Sequence, residues 1–393
     1  MAIKLLVFDS HPVQYRVPVW RQLNTLLDGS IHVVYGSDCS VRGHEDAGFG
    51  RTVAWDDPML DGYTHTVLNC EKGKPLSGWS SLTGEGVEAL LDELKPQAVL
   101  LTGLNYRYDH KAYRAARKRN IPVWLRCETQ DEAGERSFFK SIIRSVIYRI
   151  RYLGLSKVFY IGELNKQHYL RHGVAAHKLI PARYGTVDRF SSYTEAEKNT
   201  LRIQARSNAG IAADAVVIGF SGKFISKKNP DILFSQLPFL PTALRSRIHL
   251  YFIGSGEMEK DLKQLAAEAN TQYGVKTYFP GFINQTELPA HYLAIDILVL
   301  PSRKMGETWG LVTNEAMQAG CSVITTTAVG SSVDFKSWAQ FRSFPVGDSK
   351  ALAQAITELE RYSRSFDWAT EALKKYSLTA TAEAIAAACN QKK

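Results

Sequence analysis

The chain has 393 residues, of which 45% are hydrophobic and 22% are charged, and its formal net charge is +9. This composition is typical of an ordinary soluble globular protein, and the length predicts two domains or three. No apolar run approaches the ~20 residues of a membrane-spanning helix. The first apolar run is broken at Asp9, which predicts a β-strand rather than a signal peptide.

Five cysteines lie without metal-binding or redox spacing, which predicts reduced and mostly buried thiols in a cytosolic protein. They are Cys39, Cys70, Cys127, Cys321 and Cys389. The positive charge is concentrated in residues 101–157, where 13 Lys and Arg stand against 5 Asp and Glu, so that this segment carries +8. Such a patch fits nucleic acid, an anionic membrane surface or a phosphate-bearing substrate. Nucleic acid is the least favoured of these partners, because the segment has no known nucleic-acid-binding motif and no set of aromatic side chains on which bases could stack.

The first half of the chain alternates buried strands with helices. The predicted strands are Ile3–Phe8, Ile31–Tyr35, Ala98–Leu101, Pro122–Arg126, Lys157–Ile161 and Leu179–Ala182, and the predicted helices are Val17–Leu27, Val87–Leu94, Asp109–Arg119 and Glu163–His172. Residues 37–85 are predicted as long loops with short strands, which are uncommon unless functional. The alternation predicts a parallel sheet with helices on both faces.

A polar and charged stretch at residues 186–210 is predicted as a linker between two domains. The alternation then restarts with the strands Val216–Phe220, Ile248–Ile253, Thr277–Phe279, Ile297–Leu300 and Val323–Thr325. Because ligands bind outside the carboxyl ends of parallel strands, both halves can offer loops to one cleft. The tail after Ser365 is predicted as two or three short helices that pack across the domains.

The most informative stretch is a strand–loop–helix unit at residues 297–322, whose helix is predicted to begin near Thr308 or Trp309. Such a unit presents the backbone amides of a helix start to an anion. Glu307 in the loop and Glu315 about two turns into the helix would reach one elongated ligand. The alternative is that Glu307 only caps the helix and that Glu315 lies on a solvated face.

Three further loops of the second half follow strands directly. Lys223 and Lys228 lie around a turn that leads into a helix, where two ammonium groups would form a diphosphate clamp. Exposed lysines on a solvated turn are the alternative. The Gly-x-Gly at residues 254–256 allows close approach of a ligand, although a lone Gly-x-Gly is weak evidence. Phe282 and Ile283 form an apolar loop that could receive a planar base.

The chain resembles the C-terminal half of family 4 glycosyltransferases in four segments, which are in order "GK…KKNP", "FIGSGEMEKDL", "FPGFINQTELPAHY" and "ILVLPS…ETWGLVTNEAMQAG". Further upstream it is similar to the linker-entry motif of that family at "YGTVDRF", and to the first strand of its bacterial polysaccharide-biosynthesis members at "FDSHPVQYRVPVW". The family signature Glu-x7-Glu corresponds to Glu307 and Glu315.

This resemblance implies an α/β protein with the GT-B fold, in which two Rossmann-like doubly wound domains face a central cleft and a C-terminal helix crosses back to the N-terminal domain. The implied parts are an acceptor-binding domain at residues 1–185, a linker at 186–210, a nucleotide-sugar-binding domain at 211–372 and the crossing helix at 373–393.

The resemblance also implies roles for single residues. Glu307 would contact hydroxyls of the transferred sugar and Glu315 those of the ribose, since an acceptor-only carboxylate suits a diol. Lys223 and Lys228 would neutralise the diphosphate, so that no metal cofactor is required. The family usually has Arg at the position of Lys223, and Lys lacks the bidentate fork of Arg. Ile283 would offer its backbone to the base. The sugar and the diphosphate would meet backbone amides at the helix start, from Thr308, Trp309, Gly310 and Leu311. Further donor contacts would come from Gly222, Gly254 and Gly256.

In the N-terminal half, His11 follows the first strand, where related enzymes place the loop nearest the acceptor and the diphosphate. Arg126 and Glu128 follow another strand, and Glu128 lies where many relatives carry a polar residue that touches the donor sugar. The structural alternatives are a loop histidine that only packs, and an ion pair between Arg126 and a nearby acid.

Residues 136–157, "RSFFKSIIRSVIYRIRYLGLSK", predict a basic amphipathic helix. Its apolar positions are Phe139, Ile142, Ile143, Val146, Ile147 and Ile150, and its basic positions are Lys140, Arg144, Arg149 and Arg151. Such a helix can lie on an anionic membrane. An apolar stripe that faces the core, with a solvated basic face, is more common, and we expect it here.

By this resemblance the chain is predicted to be a retaining, metal-independent glycosyltransferase that moves a sugar from a nucleotide-sugar donor to a hydroxyl of a glycan, a lipid-linked sugar or a small glycoside. The diphosphate of the donor would assist a front-face reaction. The predicted location is the cytoplasm, with the basic region 101–157 as a candidate contact with the inner face of the membrane.

The alternatives are an epimerase or inverting transferase of the same fold, and a non-catalytic nucleotide-sugar-binding subunit. A dinucleotide oxidoreductase is disfavoured, because "DSHPVQ" follows the first strand in place of Gly-x-Gly-x-x-Gly.

Overall fold

The computed structural model describes residues 2–46, 48, 51–53, 57–68, 76, 78–134 and 137–391. The predicted loops of residues 37–85 lie partly outside these ranges, and Cys70 lies outside them.

The first half of the chain forms a parallel α/β domain. Its strands are β1 (Leu5–Asp9), β2 (Ile31–Tyr35), β3 (His44–Asp46), β4 (Arg51–Val53), β5 (Thr64–Val67), β6 (Ala98–Leu101), β7 (Val123–Leu125), β8 (Leu155–Tyr160) and β9 (Leu179–Pro181). Its helices are α1 (Val17–Leu26), α2 (Val87–Leu94), α3 (Arg107–Lys118), α4 (Phe138–Tyr152) and α5 (Glu163–Arg171), with a 3-10 turn at Ala176–Lys178. Seven strands form one sheet in the order β5-β2-β1-β6-β7-β8-β9, while β3 and β4 form an antiparallel pair.

Strand β1 shows why this sheet is buried on both faces. Leu5 and Val7 enter the core on one face, and Leu6 and Phe8 enter the core on the other. Successive side chains of a strand point to opposite faces, so a continuous apolar run is what a sheet covered on both sides requires.

The second half repeats this architecture. Its strands are β10 (Val216–Ser221), β11 (Ile248–Ile253), β12 (Lys276–Gly281), β13 (Ile297–Leu300), β14 (Ser322–Thr326) and β15 (Phe341–Phe344). Its helices are α6 (Glu195–Asn208), α7 (Ile232–Ser235), α8 (Thr242–Arg245), α9 (Glu259–Tyr273), α10 (Leu288–Ala294), α11 (Val312–Gln318), α12 (Ser332–Phe335), α13 (Ser349–Leu359), α14 (Thr370–Leu373) and α15 (Leu378–Asn390), with 3-10 turns at Ser226–Lys228, Leu237–Phe239 and Lys374–Tyr376. The six strands are parallel, in the order β12-β11-β10-β13-β14-β15. Strand β15 was not predicted, because its sequence is short and half polar.

Helix α6 occupies most of the segment that was predicted as a linker. Thr194 and Glu197 form a capping box at its start, in which the Thr194 backbone N donates to Glu197 Oε2 at 2.7 Å. Near its end, the buried Arg206 forms an ion pair with Asp296. The charged composition of this segment therefore reflects a helix that is anchored to the second domain through α10.

Helix α15 packs on the first domain. Its residues Leu378, Ala382 and Ile385 lie in the same apolar cluster as Val17 and Trp20 of α1. The side chain of Ser377 caps the helix by accepting from the backbone N of Ala380 at 3.1 Å. The chain therefore crosses back from the second domain to the first, as the resemblance implied.

Each sheet has a point at which the strand order reverses, and this point decides where a ligand can bind. In the first sheet β1 lies between β2 and β6, and in the second β10 lies between β11 and β13. Loops that leave neighbouring strands in opposite directions open a crevice at the carboxyl ends. Ser10 and His11 lie at the first reversal point, and Gly222 and the loop 301–311 lie at the second.

Candidate active site

A cavity of about 210 Å³ lies between the two domains, at the carboxyl ends of the strands. Gln14, Tyr15 and Asp57 line it from the first domain. The predicted site residues that line it are Gly222, Lys228, Gly254, Ile283, Glu307, Gly310, Leu311 and Glu315. Six other predicted residues, namely His11, Glu128, Lys223, Gly256, Thr308 and Trp309, are not among the residues that line it.

Glu307 and Lys228 form an ion pair in the wall of this cavity. Lys228 Nζ donates to Glu307 Oε2, and Ser302 Oγ donates to the same oxygen at 2.9 Å. Burial alone would raise the pKa of Glu307, but the ammonium of Lys228 and the hydrogen bonds from Lys228 and Ser302 lower that pKa below its ordinary value. Glu307 is therefore an ionised carboxylate, which accepts hydrogen bonds from hydroxyl groups.

A short turn brings Lys228 to Glu307. The 3-10 turn Ser226–Lys228 ends at Asn229, which adopts a left-handed conformation with φ of 54°. The Asn229 side-chain oxygen accepts from Arg303 Nε at 2.9 Å and Nη2 at 2.6 Å. Because Arg303 belongs to the loop that carries Glu307, this contact holds the lysine loop and the glutamate loop together.

Glu315 lies in the first turn of α11, because the helix begins at Val312 rather than at the predicted Thr308 or Trp309. The later start has a local cause at Gly310, whose φ of 90° is incompatible with an α-helix. Tyr292 Oη donates to Glu315 Oε2 at 2.7 Å and lies 3.1 Å from Ser221 Oγ. Glu307 and Glu315 both face the cavity, which excludes the solvated-face alternative for Glu315.

The buried position of Glu315 makes the stability of the protein sensitive to pH. Burial raises the pKa of Glu315 to about 7, although the Tyr292 hydrogen bond and the charge of Arg189 oppose the rise. The ordinary pKa is 4.5, so the folded state binds more protons than the unfolded state between pH 4.5 and about 7. The free energy of unfolding therefore falls as pH rises through this window.

When the pH is raised from about 5 to about 8, we expect the free energy of unfolding to fall less for Glu315→Gln than for the wild type, because glutamine cannot ionise. The difference should be up to about 3 kcal/mol, since each pKa unit is worth about 1.4 kcal/mol. Urea denaturation at both pH values measures it, with Glu268→Gln, a change on the exposed side of α9, as the control. Parallel pH profiles for Glu315→Gln and the wild type would contradict the assignment.

Glycines bring the ends of three neighbouring strands together beside the cavity. A Cβ at Gly254, where φ is +140°, would lie 1.9 Å from the backbone oxygen of Gly222. The Gly254 backbone N donates to the oxygen of Gly281 at 2.9 Å. Gly256 has another role, since a Cβ there would lie 2.6 Å from the backbone oxygen of Phe224. Gly254 thus lines the cavity, whereas Gly256 is required by packing.

Glu128 connects the two domains. Its Oε1 accepts from Tyr15 Oη at 3.1 Å and from Tyr184 Oη, and its Oε2 accepts from Thr308 Oγ1 at 3.2 Å. Glu128 was predicted to touch the donor sugar, and in the structure its carboxylate accepts hydrogen bonds from three protein hydroxyl groups. Arg126 donates to the Ala182 carbonyl at 3.2 and 3.3 Å, and its guanidinium lies 4.7 Å from the centroid of the Tyr184 ring.

The remaining predicted residues have structural neighbours. His11 Nδ1 lies 3.0 Å from Ser10 Oγ. The Trp309 side chain is 2% exposed, stacks on Tyr376 and donates to Asn314 Oδ1 at 2.9 Å, so this side chain belongs to the core. Lys223 is half-buried, five residues before Lys228.

Several residues of the cavity were not predicted from the sequence. Arg189 and Asp57 both line the cavity and form an ion pair across the domains, and Tyr292 holds Glu315. Gln130, which is not in the cavity lining, was also missed, and its Nε2 donates to the backbone oxygen of Glu307 at 3.3 Å. Asp57 and Arg189 are 132 residues apart, and no local pattern marks such a pair. Tyr292 carried a weak signal, because it follows the loop that was predicted to hold a base.

Comparison with known sequences finds a family in the second half of the chain. Residues 202–375 match the family described as "Glycosyl transferases group 1". A D-inositol 3-phosphate glycosyltransferase 1 from Catenulispora acidiphila is 35% identical over 137 residues, which are 33% of this chain and 32% of that protein. A D-inositol 3-phosphate glycosyltransferase from Geodermatophilus obscurus is 34% identical over 137 residues, 33% of this chain and 30% of that protein. The chain thus matches about one third of the length of these curated relatives.

Comparison with solved structures covers the whole chain. HepE from Anabaena, in complex with UDP and glucose, superimposes with a TM-score of 0.69 at 15% identity, over 98% of this chain and 99% of that one. WaaG, a glycosyltransferase involved in lipopolysaccharide biosynthesis, gives a TM-score of 0.60 at 14% identity, over 99% and 100%. OtsA without ligand superimposes with a TM-score of 0.67 at 11% identity, over 99% of this chain and 100% of that one. The predicted fold is confirmed: the chain is a GT-B protein whose second half matches the glycosyl transferases group 1 family.

Proposed function

We propose that the protein is a retaining glycosyltransferase that moves a sugar from a nucleotide-sugar donor to a hydroxyl acceptor without a metal ion. The observation that carries this proposal is the Glu307–Lys228 ion pair in the interdomain cavity, with Glu315 in the wall of the same cavity. The family match spans all three residues, and HepE, of the same fold, was solved with UDP and glucose.

The donor would lie along the loops of the second domain. Ile283 and Phe282 would contact the base, and Glu315 would accept hydrogen bonds from the ribose hydroxyls. Lys228 would lie beside the diphosphate, with Lys223 as a second cation, and Glu307 would accept from hydroxyls of the sugar. These loops all follow strands of one sheet and contribute residues to one cavity, which supports their contact with a single elongated ligand.

The reaction would use the diphosphate as its own base. The bond between the sugar C1 and the diphosphate oxygen breaks, the acceptor oxygen bonds to C1 from the same face, and the acceptor proton passes to the leaving diphosphate. The ammonium of Lys228 would stabilise the negative charge that develops on the leaving group. Glu307 would orient the sugar, and no protein nucleophile is required.

The acceptor would enter from the first domain. Gln14, Tyr15 and Asp57 line the cavity from that side, and Tyr15 is fixed by its hydrogen bond to Glu128. We place the reaction in the cytoplasm, because Cys39, Cys127 and Cys321 are buried free thiols, which suit a reducing compartment.

The test is a panel of nucleoside diphosphates and nucleotide-sugars in a thermal-shift assay, beginning with UDP and UDP-glucose. A true donor present at 100 times its Kd stabilises the native state by about 2.7 kcal/mol. At the same concentration the matching nucleoside monophosphate should give a smaller shift, because it lacks the diphosphate and the sugar that the site is proposed to bind. The stabilising donor is then incubated with candidate acceptors, and NMR of the product reports the anomeric configuration. Inversion would refute the retaining mechanism, and the absence of any shift across the panel would refute the proposed function.

A further inference from the structure

Helix α4 turns its apolar side chains away from the protein. The exposed fraction of these side chains ranges from 43% for Ile147 to 76% for Phe139. The exposed set is Phe138, Phe139, Ile142, Ile143, Val146, Ile147, Ile150 and, just after the helix, Leu153. The orientation that we expected from the sequence, with this stripe in the core, is therefore wrong.

The opposite face of α4 explains this orientation, because it is polar and aromatic and binds the first domain. Tyr152 Oη lies 2.8 Å from His168 Nε2, and Ser145 Oγ lies 3.2 Å from His172 Nδ1. Tyr148 packs on both histidines, with ring centroids 4.8 and 5.3 Å away. Rotating the helix to bury its apolar stripe would break these contacts, so the exposed stripe is a fixed surface of the fold.

The positive charge of this surface indicates an anionic partner. Within Phe138–Tyr152 the sequence has four basic residues and no acidic residue. Arg144 lies on the side that faces the first domain, where its Nη2 is 3.9 Å from Asp131 Oδ1. The other three are Lys140 and Arg149, which are exposed, and Arg151, which is half-buried. Helix α3 adds basic residues beside it, since Arg117 Nη1 donates to the Leu153 carbonyl at 3.2 Å. A second copy docked through α4 would bring like charges together, whereas an anionic surface complements them.

We propose that α4 is a docking surface for an anionic lipid bilayer. Its phenylalanine and isoleucine side chains enter the boundary between headgroups and acyl chains, while its exposed basic side chains, Lys140 and Arg149, contact anionic headgroups. Among the described helices, none has the length and apolarity that a membrane span needs. The helix lies in the plane of the interface and does not cross the bilayer.

The loop before α4 is hydrogen-bonded to the loop that carries Glu307. The loop that precedes α4 carries Glu128 and Gln130, which bond Thr308 and the backbone of Glu307, and it carries Ala133, whose carbonyl accepts from the Gly306 backbone N at 2.6 Å. Docking would hold the cleft near the bilayer, which suits an acceptor hydroxyl on a lipid-linked molecule. This last step rests on the proposed function, whereas the docking itself does not.

Vesicle co-sedimentation tests the docking without any measurement of activity. Vesicles of phosphatidylcholine alone are compared with vesicles that also contain phosphatidylglycerol. We expect the wild type to bind the anionic vesicles about tenfold more tightly, with affinity falling as salt rises. Ile143→Glu, at the centre of the stripe and 61% exposed, should weaken binding at least about tenfold. Ile203→Glu, on α6 and 68% exposed, is the matched control and should bind like the wild type.

Three results would overturn the proposal: absence of binding to anionic vesicles, equal binding to both vesicle types, or equal loss of binding in Ile143→Glu and Ile203→Glu. Light scattering addresses a second copy as the occupant, because a wild-type dimer that Ile143→Glu converts to a monomer would also overturn it. Both substitutions are on the surface, and equal melting temperatures establish that each variant is folded.

Discussion

Replacing Glu307 by alanine is expected to lower the rate of sugar transfer by about 10²–10³-fold, the range seen when one preorganised polar contact to a transition state is removed. The carboxylate is ionised and held between Lys228 and Ser302, so it is positioned before the sugar arrives. Its loss leaves the ammonium of Lys228 without its partner and the sugar hydroxyls without an acceptor. The initial rate of transfer from the donor identified by thermal shift measures the effect.

Two further variants separate the effect of the Glu307 charge from a general effect of substitution. Glu307→Gln keeps the size of the side chain but removes its charge, and should retain more activity than Glu307→Ala. Glu268→Ala removes an exposed glutamate of the same domain and should leave the rate unchanged. Wild-type turnover in Glu307→Ala would end the assignment of Glu307 to the sugar.

The second large effect is expected for Lys228→Ala, which should lower transfer by at least about 100-fold and weaken the binding of nucleoside diphosphate. It should also shift the pH dependence. In the wild type, Lys228 holds the pKa of Glu307 low against the effect of burial. Without the ammonium the pKa of Glu307 rises, so the variant should lose its residual activity at a higher pH than the wild type as the solution is acidified.

Lys223→Ala is the matched comparison, since it removes the same ammonium from the same loop. Lys228 lines the cavity and Lys223 does not, so we expect the smaller loss for Lys223→Ala. The measurement is kcat and KM for both variants across a pH series. Equal losses would contradict the larger role of Lys228, and an unchanged acid limb in Lys228→Ala would show that its pairing with Glu307 has no part in the reaction.

Elements with strong local signals were predictable. Strands β2, β6, β11 and β13 have the predicted bounds, because apolar runs bounded by polar or turn residues identify buried strands. The helix α6 also had a local signal, the capping box of Thr194 and Glu197, which the prediction of a linker overlooked. Gly310 likewise marked the later start of α11, since glycine readily adopts the positive φ that a helix interior does not allow.

Other features depend on partners that are distant in sequence. The period of α4 is the same whether its apolar stripe faces the core or the solvent, and the choice is made by His168 and His172 of the neighbouring helix. The Asp57–Arg189 pair forms only because two domains meet. A sequence pattern describes one element at a time, so these arrangements required the tertiary structure.

The position of α15 has a consequence for how the protein is made. Leu378, Ala382 and Ile385 complete an apolar cluster whose other members include Val17 and Trp20, near the other end of the chain. A ribosome synthesises from the N-terminus at about 5–20 residues per second, so the first domain waits roughly ten seconds or more, with this part of its core open, while the second domain is translated. A chaperone that shields the α1 face during this interval would favour the yield of native protein.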